Sequence, residues 1–597
     1  MSSDITRYDR RSFMSYFASV GLGSTLLPGV LWARVHGGAE ITAASIASAA
    51  EIAGLTFTDA ERAMMVGDLK DQAEQIAELH KVPLDNAVQP AVLFDPVPPG
   101  VAPPAPAGPR RPMVRSRATT RSRPASDDAL AFLAVSELSE LVRTRRVSST
   151  ELTRLYLARI ARYDPVLKAV ITVTEARALE QAAAADREIA AGRYRGPLHG
   201  IPWGAKDLLA VKGYRTTWGA GPYKEQRLDY DAEVVKRLDA AGAVLIAKLT
   251  LGELAQGDVW FGNGPSDATA EETTRRGQRT RNPWKLDQGS SGSSAGPAAA
   301  TAAGLVAFSI GSETLGSISS PSTRCGTTGL RPTFGRVPRT GAMALSWTMD
   351  KLGPICRSVE DCALVFDAIH GPDGDDRTVR SADFHWDARA PLSAIRVGYV
   401  KSAFDLPATD PTRPEGERRV HPTKPFDDAA LAALRRIGVK LIPVEIPAAP
   451  YNAMRLVLVA EAAAAFDELT RSGRDDRLVQ QGPNDWANTF RAARFIPAVD
   501  YVNANRARTL AMQQWHRLMQ TVDVIVTPTS AADLWQLVAT NFTGHPAVIL
   551  PNGFRDDGTP VSLTFLGGLY EEATLLRVAQ AYQDATGFHR KHPTLAE

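Results

Sequence analysis

The chain has 597 residues, of which 44% are hydrophobic and 22% charged, with a net charge of +2. This is a soluble, globular balance with room for more than one core, and the near-neutral charge excludes a strong general pull toward nucleic acid or an anionic membrane. Three cysteines, Cys325, Cys356 and Cys362, stand outside any CxxC or Cys/His cluster, which argues against a disulfide framework and a zinc site, and no uninterrupted run of 18 apolar residues marks a membrane span.

In chain order, Asp9-Arg10-Arg11-Ser12-Phe13-Met14 precedes an uncharged, moderately apolar stretch over residues 15–33, and charge returns at Arg34. A positive segment followed by a short apolar one is the layout of a secretory signal, and the paired arginines resemble a twin-arginine signal. Residues 1–38 are therefore expected to direct export to the periplasm or the outside of the cell. No A-x-A cleavage site is visible, so retention as a membrane anchor stays open, as does an amphipathic helix packed on the enzyme. Residues 39–94 read as a helical extension, dense in alanine, with a helix start at Thr58-Asp59-Ala60-Glu61. Residues 95–126 hold many prolines and Arg110, Arg111, Arg115, Arg117, Arg121 and Arg123, and read as an extended, mobile linker.

Residues 127–597 read as the catalytic region. Ser148-Ser149-Thr150-Glu151 opens an amphipathic helix with capping-box chemistry, and the short apolar runs 243–247 and 522–526 read as strands alternating with helices. That alternation predicts an α/β fold with a covered sheet. Residues 263–281 are polar and read as a surface loop insertion, and residues 287–291 are expected to form no strand.

Three stretches carry candidate chemistry. Residues 196–207, GPLHGIPWGAKD, approach Lys206 through a mostly apolar, glycine-containing run, and a lysine buried there would have a lowered pKa and could act as a base. Residues 288–304, QGSSGSSAGPAAATAAG, place small hydroxyls and bare backbone N–H groups at a helix start, which suits a developing oxyanion. Residues 310–317, IGSETLGS, read as a strand entering a tight turn that ends on Ser317.

Together these stretches resemble the amidase signature family over roughly residues 129–597. The spacing agrees, with Ser317 standing 24 positions after Ser293. The likeness continues through Cys325-Gly326, residues 329–337, Gly353-Pro354, residues 357–361, Thr527-Pro528-Thr529 and residues 543–547. The resemblance implies a mixed central β-sheet covered by helices on both faces. It implies Ser317 as the nucleophile, Ser293 as the bridging serine on a cis peptide bond, and Lys206 as the base. It also implies an oxyanion hole from the N–H groups of Thr314, Leu315, Gly316 and Ser317, with Ser294 supporting the relay. No cofactor and no metal are expected, and the partner is a small-molecule or peptide-like amide rather than nucleic acid.

Three positions depart from the family pattern. Leu315 stands where a glycine is usual, the signature reads SGSSAG, and Ser319 stands where an arginine is often found two residues after the nucleophile. A side chain at 315 would narrow the site or demand another backbone angle. Trp260, Trp347 and Met349 are candidate walls of a pocket for an apolar acyl group. Two readings remain within the same scaffold: the glutaminase component of a tRNA-dependent amidotransferase, and an inactive binding protein. A third takes Gly292-Ser293-Ser294-Ala295-Gly296 as a nucleophile elbow, with Ser294 attacking and His545 assisting.

Overall fold

The computed structural model describes residues 40–52, 55–79, 81–82, 111–117, 122–262, 277–531 and 535–595. The export-like segment 1–38, the proline-rich part of the linker at 95–110 and most of the insertion at 263–276 lie outside the described residues. Among the described residues, no helix is long and apolar enough to cross a membrane.

The larger of two compact units holds an 11-stranded sheet. Its strands are β1 (Val170–Val173), β2 (Pro202–Lys206), β3 (Val244–Leu249), β4 (Phe308–Glu313), β5 (Thr328–Arg331), β6 (Lys351–Cys356), β7 (Val397–Val400), β8 (Leu441–Val444), β9 (Val524–Pro528), β10 (Ala547–Phe554) and β11 (Pro560–Gly567). They run in the order β1-β3-β2-β4-β6-β5-β10-β11-β9-β7-β8. The sheet is mixed: β2 is parallel to both β3 and β4, and β7 to both β8 and β9, while the remaining pairs are antiparallel. Strands β2, β3, β4 and β6 are buried at every residue, as strands covered on both faces are, so their sequences show no regular polar–apolar alternation. Helices α1 (Ser149–Leu167), α2 (Glu175–Ala190), α3 (Ala295–Ala302), α4 (Ser319–Cys325), α5 (Val359–Ile369) and α6 (Glu572–Thr586) cover it. The expected α/β fold with a mixed, helix-covered sheet is the observed one.

Local signals explain the helix starts. Ser148 caps α1 by accepting the N–H of Glu151 at 2.9 Å. Ser358 caps α5 in the same way, accepting from Asp361 at 3.1 Å. Two stretches differ from expectation. Residues 285–289 pair with residues 281–282 in a short ribbon, where composition predicted no strand. The ribbon is partly exposed and its side chains are tied by polar bonds, Lys285 to Asp557 and Gln288 to Arg324, each at 3.1 Å, so it shows no apolar alternation. The linker does not hang free over its described part. Val114 N–H donates to Trp386 O at 2.8 Å, Val114 O accepts from Ala388 at 2.9 Å, and Ser116 N–H donates to Glu360 Oε1 at 2.7 Å. An extended proline-flanked segment with open N–H and C=O groups is ready-made for such strand addition.

The smaller unit combines the described part of residues 1–91 with residues 450–476 and 480–509. The expected helices form at Ala43–Ile52 and Asp59–Leu79. The second starts with a reciprocal box in which Thr58 N–H donates to Glu61 Oε2 at 2.6 Å and Glu61 N–H to Thr58 Oγ1 at 3.3 Å. Ile46, Ala49, Met65 and Leu69 form a core with Ala492 and Phe495. Arg491, nearly fully buried, ties Glu61 and Asp475 together at 2.8 Å each.

Helix α3 packs against the sheet so closely that Gly296 admits no side chain. A Cβ there would lie 2.4 Å from both Ala169 O and Thr250 N, and backbone cannot step aside. Gly296→Ala is therefore expected to cost about 1–3 kcal/mol through overpacking, seen as a lower urea midpoint at unchanged slope. A midpoint equal to wild type would contradict this packing.

Candidate active site

Strand β2 carries Lys206 on its last residue, inside the sheet, with no exposed surface. Close approach of β3 fixes its neighbour: a Cβ on Gly204 would lie 2.4 Å from Leu249 Cδ1. The Lys206 Nζ lies 2.8 Å from Ser293 Oγ, 2.9 Å from Ser312 Oγ and 3.1 Å from Ser294 Oγ, with Ser312 O at 3.5 Å. Burial holds its pKa well below the ordinary lysine value, and the carboxylates of Asp350 and Glu313 oppose that shift without reversing it.

Ser293 and Ser294 stand at the entrance to α3, an eight-residue helix buried throughout and made only of Ala, Gly, Pro and Thr. The Gly292–Ser293 peptide is cis. Ser294 Oγ accepts from Ser312 N–H and donates to Ser312 O, each at 3.1 Å, and its own N–H donates to Ser317 O at 3.0 Å. The signature loop and the turn at Ser317 are thus joined through one residue. Room for that serine comes from Gly311 on β4, where a Cβ would sit 2.7 Å from Ser294 Oγ.

The turn from Thr314 to Ser317 leaves β4 and enters α4. Gly316 takes the left-handed angle, φ +97°, and Leu315 keeps an ordinary negative φ. The side chain at 315 therefore needs no unusual backbone, because its neighbour supplies the bend. Among the described residues, the N–H groups of Leu315, Gly316 and Ser317 find no protein acceptor. The Thr314 hydroxyl donates to Asp350 Oδ1 at 2.6 Å.

Three residues of this site, Glu313, Asp350 and Ser312, were not singled out from sequence. Glu313, fully buried, accepts from Ile318 N–H at 2.9 Å and from Ser319 N–H and Oγ at 2.8 Å each. Its other oxygen accepts from Arg331 Nη1 at 2.8 Å and Asn541 Nδ2 at 2.7 Å. Burial pushes this carboxyl up, and the Arg331 guanidinium with the donors around it outweighs burial and brings it down to about 2. Asp350 accepts from Leu345 and Ser346 N–H at 2.8 and 2.9 Å, and its burial raises its pKa. Ser312 completes the shell of Lys206. One signal was available: Glu313 is the lone charge in residues 310–317, a segment otherwise apolar or hydroxylic. Asp350, 33 residues beyond Ser317, had none.

Two cavities flank the turn. One, of about 240 Å³, is walled by Leu208, Met343, Leu345, Trp347 and Leu352, with Ser312, Thr314 and Asp350 on its polar side. Trp347 stands there half exposed, whereas Met349 and Trp260 are core residues that do not line it. The other, of about 290 Å³, is lined by Ser291, Ser319, Ser320, Thr529, Gln536 and Arg331 among others. The elbow reading does not hold. The Ser294 hydroxyl is committed to Ser312 and Lys206, while His545 pairs with the Thr543 hydroxyl at 2.8 Å, and burial brings its pKa down to about 3.

The family described as Amidase matches residues 151–576. The chain is 33% identical over 505 residues to a glutamyl-tRNA(Gln) amidotransferase component from Roseiflexus castenholzii, covering 78% of this chain and 98% of the relative. It is 32% identical over 506 residues to the same component from Acinetobacter baumannii, with the same shares covered. Among solved structures it resembles the native peptide amidase of Stenotrophomonas maltophilia, at 29% identity and a TM-score of 0.63, over 78% of this chain and 99% of that one.

A buried amine that is neutral when folded and protonated when unfolded lets the unfolded chain bind the extra proton between the two pKa values. Its cost to stability therefore fades as pH rises to the ordinary lysine value of about 10.4. If neutral Lys206 begins the reaction, kcat/KM is expected to rise with pH to a plateau, with its midpoint below that ordinary value. A rate falling steadily from about pH 6 to 9 in a folded enzyme would remove Lys206 as the base.

Proposed function

This chain belongs to the Amidase family and is an amide-hydrolysing enzyme, and from that premise we propose that it cleaves its substrate through an acyl-enzyme on Ser317. The observation that carries the reading is the Lys206 amine, buried and 2.8 Å from Ser293 Oγ. In this reading Ser317 Oγ attacks the amide carbonyl and passes its proton to Ser293, whose own proton moves to neutral Lys206. The oxyanion falls to the backbone N–H groups of residues 314–317. Collapse breaks the C–N bond, and the proton held on Lys206 returns through Ser293 to the leaving nitrogen. Water then attacks the ester by the same relay, giving the carboxylic acid and restoring Ser317.

The cavity walled by Leu208, Met343, Leu345 and Trp347 supports an apolar group on the substrate, aryl or short aliphatic, in a peptide-like or simple amide. The curated relatives carry the name of a tRNA-dependent amidotransferase component. The export-like Arg10-Arg11 segment and Ser319 in place of an arginine support a stand-alone exported hydrolase instead.

The test is a panel of aryl, alkyl and C-terminal peptide amides assayed for released ammonia or amine. Wild type is expected to hydrolyse apolar members best. Ser317→Ala and Lys206→Ala should each lose at least about 1,000-fold in kcat. A Ser317→Ala protein keeping a tenth of wild-type activity would overturn the acyl-enzyme reading.

A further inference from the structure

A neutral lysine has two N–H donors and one lone pair, and it can serve as a base only through the lone pair. Three hydroxyls surround Lys206 Nζ, on Ser293, Ser294 and Ser312. Ser294 has no choice of role. Its one proton goes to Ser312 O and its Oγ already accepts from Ser312 N–H, so toward Lys206 it can only accept. That consumes one amine N–H. The Ser312 carbonyl also lies at 3.5 Å, at the long limit of a hydrogen bond, so the direction of the lone pair is decided chiefly by which of the two nearer hydroxyls takes the second N–H.

We propose that Ser312 is the positioning residue that takes it, so that the lone pair of Lys206 is turned onto Ser293. This inference rests on the acyl-enzyme reading above and deepens it. Ser312 suits the role because it lines the cavity beside Thr314 and Asp350, so its own proton can point away from the amine. Ser293 cannot exchange roles with it, since Ser293 must give its proton to Lys206 for Ser317 to be activated. The rigidity of β4 fixes the distance: Ser312 sits in register with Leu352 of β6, and its N–H and C=O both bond Ser294.

The charged groups on the elements around Lys206 are few. Glu313 ends β4 and is held by Arg331, Asp350 precedes β6, and Asp207 on the β2 side pairs with the buried Lys248 of β3 at 2.6 Å. On α1, Arg159 is turned to the carbonyls of Ala303 and Gly304, and α3 carries no charge. None of them substitutes for the Ser312 hydroxyl as an acceptor for the amine.

The experiment is the pH dependence of inactivation by a fluorophosphonate, with kcat and KM on an aryl amide, for wild type, Ser312→Ala, Ser312→Cys and Ser312→Thr. Loss of the acceptor leaves one amine N–H unpaired and lets the lone pair swing, so Ala is expected to lose about 10- to 100-fold in rate with KM little changed. The ammonium form also loses a charge-assisted partner, so the alkaline midpoint should move to lower pH. Cys, nearly isosteric but a weak acceptor, should follow Ala in both respects if Ala folds poorly, and Thr should restore rate and midpoint. A rate within twofold of wild type in Ala and Cys overturns the inference. So does a lowered rate whose midpoint stays put or rises, since packing damage alone would give that. Wild type that is not inactivated at all overturns the acyl-enzyme reading itself.

Discussion

Everything in this site depends on holding an amine inside a β-sheet, where burial pushes its pKa well below the ordinary lysine value. Burying an ammonium ion among covered strands is costly unless an anion pairs with it, and among the described residues none bonds Lys206. The protein instead surrounds the nitrogen with hydroxyls and a carbonyl, which satisfy a neutral amine and only weakly favour a charged one. The small residues nearby follow from this. Gly204, Gly311 and Gly296 let β3, Ser294 and the α3 backbone close around the lysine, and each is a place where a Cβ would collide.

The second requirement is a turn at Ser317 that does not move. The end of strand β4 and the residue after it supply this: Ser312 faces Lys206, Glu313 grips the backbone beyond the turn, and Thr314, the first residue of the turn, is tied to Asp350. Glu313 is the anchor. Fully buried beside Arg331, it stays ionised far below neutral pH and takes the N–H groups of residues 318 and 319. Among the described residues, the N–H groups of residues 315–317 have no protein acceptor, the arrangement that the proposed oxyanion hole requires.

Much of this was legible in the sequence because glycine, serine and lysine at fixed spacing leave few alternatives. Lys206, Ser293 and Ser294, named from the sequence, meet in one buried cluster, and the Ser294 N–H ties it to Ser317 O at the end of the turn over residues 314–317. Buried strands such as β3 and β9 read as the apolar runs 243–247 and 522–526. What could not be read was long-range pairing. Asp350 meets Thr314, and Arg331 meets Glu313, through antiparallel register between β4, β6 and β5, which no local pattern encodes. Likewise residues 450–509 look like further catalytic region, yet most of them belong to one compact unit with the N-terminal helices, joined by a core that includes Ala492 and Phe495 and by the Arg491–Glu61 ion pair. The docking of Val114 beside Trp386 has the same cause: a lone extended segment shows its partner only in three dimensions.

The central claim is that the lysine-held relay acts on Ser317. The most direct test is to react the protein with a fluorophosphonate and locate the adduct by intact mass and peptide mapping. The account predicts a single adduct on Ser317, absent in Ser317→Ala and formed more slowly in Lys206→Ala. An adduct on Ser294, or labelling of Ser317 at the same rate without Lys206, would contradict it.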